Sequence, residues 1–107
     1  MKKLLLASAA TVAMAGAAFA ESHGDVKLGV ILGFTGPIES LTPAMAAGAE
    51  QAMSEVTASG KFMGGKALTS VRADSTCVDS AAASAAAERL ITSDQVSGIV
   101  GADCSGV

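Results

Sequence analysis

The stretch VKLGVIL, from Val26 to Leu32, is an almost unbroken run of β-branched and apolar residues that ends against the turn sequence GFTGPIES. A strand with one wet face alternates, whereas a run like this suits a parallel strand covered on both faces. Such a strand needs helices around it, and the sequence supplies one at once. Gly33, Gly36 and Pro37 provide the turn. Thr42 is expected to cap a helix with Pro43 at its first position, where a missing N–H costs nothing. Met45, Ala49, Met53 and Val56 recur at helical spacing and define the expected buried face, and Gly60 is placed to end the helix in the left-handed conformation.

The pattern then repeats. KFMGGK is a loop, and ALTSVRAD (67–74) is a second strand. After STCVD, Asp79 is expected to cap a second helix whose apolar face is Ala83, Ala86, Ala87, Leu90 and Ile91, with Glu88 and Arg89 in water. QVSGIVG (95–101) reads as the third strand. Strand–helix alternation with right-handed crossovers predicts an α/β architecture, a parallel sheet with flanking helices in the order β-α-β-α-β. Residues 26–107 would leave strand edges and apolar surface bare, so they are expected to be the incomplete N-terminal lobe of a longer protein.

The first twenty residues have the pattern of an export signal. Lys2 and Lys3 precede the uncharged stretch from Leu4 to Phe19, and Ala18-Phe19-Ala20 supplies small residues before a cleavage point between Ala20 and Glu21. This stretch is too short and too rich in alanine to span about 30 Å of hydrocarbon, so no stable membrane insertion is expected after cleavage. Residues 21–25 read as a flexible lead-in. Cleavage would leave 87 of the 107 residues, with five Lys/Arg against ten Asp/Glu, a formal charge of −5. That balance argues against nucleic acid or an anionic membrane surface as partner.

In a parallel α/β sheet, ligands gather beyond the carboxyl ends of the strands. Three loops lie there: Gly33 to Leu41, Ser75 to Asp79, and Ala102 to Val107. The first is neither a G-x-G-x-x-G turn nor a P-loop. The other two hold the only cysteines, Cys77 and Cys104. In an oxidising compartment two thiols are expected to pair rather than stay free, provided their Cα atoms come within about 7 Å. Their spacing, with His23 alone in the lead-in, matches no metal site, and no cofactor is implied. A nucleophilic cysteine would also need a neighbouring base, so catalysis is not expected of this segment. Asp74, Asp79, Asp94 and Asp103 read as caps and solvated charges. Ser105 reads either as the cap of a further helix or as a hydroxyl offered to a ligand carboxylate; the two roles are compatible.

VKLGVILGFTGP, GAEQAMSEVTASG, LTSVRADSTCVDSAAASAAAERLI and VSGIVGADCSGV, taken in that order, resemble the N-terminal lobe of type I periplasmic substrate-binding proteins, specifically the leucine/isoleucine/valine-binding group that serves ABC importers. The resemblance covers residues 25–107 and about a quarter of such a protein. It implies two α/β lobes that close on an amino acid, a Cys77–Cys104 disulfide, and Ser105 as the residue that binds the ligand carboxylate. A bulky, often aromatic ligand contact of the family falls at Leu41, which is not aromatic, and CSG stands where many members have a run of serines. The candidate ligand-binding set is therefore Thr35, Leu41, Ser105 and Gly106. The expected function is that of a periplasmic solute receptor, not an enzyme, which delivers a branched-chain or other small amino acid to a membrane permease. Alternatives are a receptor of the same fold for amides, urea or aromatic acids, a sensor ectodomain, and a secreted α/β enzyme. For the enzyme, G-x-S-x-G, C-x-x-C and a catalytic histidine are all missing here.

Overall fold

A computed structural model describes residues 24–107 of the chain. The cleavage point at Ala20 and Glu21, the first part of the lead-in and His23 lie outside the described residues. The elements are β1 (Val26–Leu32), α1 (Thr42–Ala58), a single 3-10 turn (Phe62–Gly64), β2 (Leu68–Asp74), α2 (Ser80–Thr92) and β3 (Gly98–Val100). All strands are parallel, in the order β2-β1-β3. The central strand is thus the near-continuous apolar run, paired with β2 along its whole length from Val26–Leu68 to Leu32–Asp74.

The two faces of β1 carry different layers. Val30 and Leu32 pack with Ala46 and Met53 of α1 on one side. Ile31 packs with Ala73 and Leu90, joined by Ala86 and Ala87 of α2, on the other. Gly29 makes the second layer thin. A Cβ there would stand 2.7 Å from a Leu90 methyl, so the glycine is what lets fully buried Leu90 press onto the strand.

Several expectations about these elements need correction. The buried face of α1 is Thr42, Ala46 and Met53, while Met45 is 47% exposed and Val56 is also exposed. The small Ala46 goes under because it allows the helix to lie close to the sheet, and the larger Met45 is left outside. Thr42 is not the cap: Leu41 holds that position without a side-chain hydrogen bond, and Pro43 falls one residue inside the helix, still within the first turn. The Thr42 hydroxyl instead donates to the Gly33 carbonyl at 3.1 Å and, more weakly, to that of Glu39 at 3.4 Å.

In α2, Ile91 is 58% exposed and does not join the buried face. The third strand is shorter than 95–101, since only Gly98–Val100 pairs, against Leu28–Val30. Gln95 adopts a φ of 55° and so belongs to the turn between α2 and β3. The remaining boundaries follow the sequence. Asp79 caps α2 by accepting the N–H groups of Ala81 and Ala82 at 2.9 and 3.1 Å. Gly60, at φ 65°, follows the last turn of α1. Among the described residues, no helix is long and apolar enough to cross a membrane.

Candidate functional site

Each strand of a parallel sheet releases its chain at the same end, and here the three loops released there are tied to one another by four separate contacts. Cys77 and Cys104 form a disulfide with Cα atoms 5.3 Å apart, which joins the loop after β2 to the loop after β3. One residue earlier, the Asp103 carboxylate accepts the Gly33 N–H on both oxygens, at 3.2 and 3.1 Å, and so joins the third loop to the first. Asp74, the last residue of β2, joins the second to the first. Its Oδ1 accepts the N–H groups of Thr35 and Thr76, and its Oδ2 accepts the Thr35 hydroxyl at 2.6 Å. Finally, Gly36 has a φ of 97° and lies so close to Thr76 that a Cβ would stand 2.5 Å from its carbonyl oxygen. Only glycine meets both conditions.

The second loop is the most constrained of the three. Thr76 and Cys77 both lie in the left-handed region, at φ 58° and 69°. Side-chain-bearing residues reach that region at a cost of about 1–2 kcal/mol each. Asp74 and the disulfide hold the pair there, and this aims Cys77 at its partner. The root of the first loop is gripped from the β2 side. The Arg72 guanidinium lies 5.5 Å from the centre of the Phe34 ring and forms a two-pronged ion pair with Glu50 of α1 at 2.7 Å. Hydrogen bonding from Arg72 holds the Glu50 carboxyl below its ordinary value, and the same bond raises Arg72. For Asp74, desolvation is the largest single influence and pushes the carboxyl up. The bonds from the Thr35 hydroxyl and from the N–H groups of Thr76, Thr35 and Phe34 outweigh it, and the net shift is downward.

Ser105 and Gly106 form an exposed turn directly beyond the disulfide, with Gly106 close to the Cys77 carbonyl. Thr35 is exposed and bound to Asp74. Leu41 is 59% exposed where the first loop enters α1. Asp74 and Asp103, expected as caps or solvated charges, instead clamp the loops. A carboxylate at a strand end, facing a glycine-bounded loop, was the signal for Asp74. Asp79 does cap its helix, so the N-terminus of α2 is already occupied. The three loops carry Glu39, Asp79 and Asp103 and no lysine or arginine, so any anion they bind must be met by hydroxyl and N–H groups. Among the described residues, no cluster of His, Cys, Asp and Glu is placed to hold a metal ion.

Two comparisons bear on this geometry. The family model described as "Periplasmic binding protein" matches residues 25–107. The chain is also 39% identical, over 106 residues, to proteins named "Leu/Ile/Val-binding protein homolog 7" in Brucella melitensis and Brucella suis. The match takes in 99% of this chain and 25% of each relative, so the chain spans about a quarter of the length of the curated relatives it matches.

Proposed function

The chain belongs to the periplasmic binding protein family, and on that premise we propose that it is part of the first lobe of an exported solute receptor for a bacterial ABC importer. The ligand is a branched-chain or other small amino acid, held in a cleft between this lobe and a second one and delivered to a membrane permease. Cleavage between Ala20 and Glu21 releases the receptor into the periplasm. Its task is capture and presentation, with no bond made or broken.

The observation that carries this reading is the cross-linked set of strand-end loops, with Ser105 exposed directly beyond the Cys77–Cys104 bridge. A loop tied down at Asp103 and Cys104 presents its next hydroxyl in one place, so little ordering entropy is lost when a ligand arrives. The Ser105 hydroxyl and the neighbouring Gly106 backbone receive the ligand carboxylate, Leu41 offers apolar contact to the side chain, and Thr35 meets the ligand from the first loop. The names of the Brucella relatives support the choice of branched-chain amino acids.

The test is a thermal-shift panel on the full-length gene product with leucine, isoleucine, valine, alanine, acetamide and urea. A ligand present at a hundred times its dissociation constant adds about 2.7 kcal/mol to the stability of the folded state. Stabilisation by amino acids alone is expected. Stabilisation by acetamide or urea alone would move the receptor to a different substrate class. Ser105→Ala should weaken binding without lowering the melting temperature of the empty protein, and unchanged affinity would remove Ser105 from the site.

A further inference from the structure

We propose that Asp74 fixes the polarity of Thr35, so that the first loop meets the ligand only as a hydrogen-bond acceptor and selects a ligand that carries an N–H donor, the ammonium of an amino acid. This rests on the receptor reading above and adds a specificity-determining residue and its positioning partner.

A threonine hydroxyl has one hydrogen to give and two lone pairs to receive with. The Thr35 Oγ1 to Asp74 Oδ2 distance is 2.6 Å, a short charge-assisted hydrogen bond. Asp74 takes N–H groups from Thr35 and Thr76 on its other oxygen, so the hydrogen bonds its carboxylate makes are all accepted ones. That environment keeps the carboxyl ionised, so the hydrogen in the short bond belongs to Thr35. The Thr35 N–H is committed to the same carboxylate. What remains at this exposed residue is the pair of lone pairs on Oγ1, and donation to an anion makes them stronger acceptors. An ammonium placed there finds an acceptor with a negative charge behind it. A carboxylate placed there finds no hydrogen to accept and the same charge opposing it. The Ser105 hydroxyl, on the third loop, is under no such constraint.

The test uses the full-length protein and calorimetric titration with three pairs that differ in the amino group: L-leucine and 4-methylpentanoate, L-valine and 3-methylbutanoate, L-phenylalanine and 3-phenylpropanoate. Thr35→Val keeps the shape and removes the acceptor. It should lower amino-acid affinity about tenfold, the size expected for one hydrogen bond to a charged group, and leave the des-amino partner within twofold. Thr35→Ser should restore the wild-type values. Asp74→Asn frees the hydroxyl to turn outward and should narrow the preference for the amino acid over its partner. Equal losses for both members of a pair in Thr35→Val, or no loss for either, would overturn the inference and leave the receptor reading standing. A wild-type protein that binds none of the six compounds and is stabilised by none of the thermal-shift panel would overturn the receptor reading itself, and this inference with it; stabilisation by acetamide or urea alone would overturn this inference only.

Discussion

Asp103 reaches back to Gly33 across 70 residues of sequence, and both of its carboxylate oxygens lie within 3.2 Å of the Gly33 nitrogen. Gly33 is buried and Asp103 partly so, and loss of that carboxylate takes away the partner of the Gly33 N–H. Asp103→Ala should therefore destabilise the full-length protein by about 1–3 kcal/mol, the range for an orphaned buried donor. Asp103→Asn, which keeps one acceptor, should cost less. Urea denaturation of the two variants checks the ranking, and equal midpoints would refute it.

The disulfide closes a separation of 27 residues. In the chain-entropy account, a loop of that length restricts the unfolded state by about 3.5 kcal/mol. Cys77→Ser/Cys104→Ser should lower stability by up to that amount, and it should weaken ligand binding as well, because Ser105 loses its anchor. Thiol titration of the denatured, unreduced protein should find neither cysteine reactive.

Gly29 and Leu90 are expected to behave as a coupled pair. Leu90→Ala removes a fully buried side chain and should cost about 2–5 kcal/mol. Gly29→Ala in the wild type forces a methyl to within 2.7 Å of Leu90 and should destabilise too. Placed on Leu90→Ala, the same methyl enters vacated space, so the double variant should be more stable than the sum of the single effects. A double-mutant cycle in urea that closes additively would contradict this packing.

Acid should loosen the clamp between the first two loops. The Asp74 carboxyl titrates below its ordinary value of 3.8 when folded, and Glu50 below 4.5. Groups depressed in this way contribute stability that is present above the unfolded value and is lost as pH falls through the folded one. The urea midpoint should hold steady from neutral pH downward and then drop below about pH 4. Asp74→Asn should show a shallower drop from a lower plateau, and a curve parallel to wild type would show that Asp74 does not carry the effect.

Periodicity and turn chemistry made most of the sheet and both helices readable in advance. Val26–Leu32 stands out because Lys27, near its open end, is the one charged residue in a strand otherwise covered on both faces, and Asp79 stands out because capping is local. The buried face of α1 departs from the pattern of its most hydrophobic residues for a physical reason. Met45 and Val56 are the more hydrophobic residues, but the sheet takes Thr42 and Ala46, one for a hydrogen bond to Gly33 and the other for its small size. At the site, position along the chain located the loops, the thiols and Ser105. It could not reveal the Asp103–Gly33 and Asp74–Thr35 contacts, because these join residues 70 and 39 apart through a fold that must exist first.

The placement of β1 between β2 and β3 also bears on assembly. The ribbon that is synthesised first among the three borders on both later ones, and neither neighbour is local to it in the chain. A chain emerging from its amino end would therefore gain one neighbour for this segment at Asp74 and keep its other edge bare until Val100 has emerged. Such a wiring order puts closure of the sheet at the end of the segment rather than at its start.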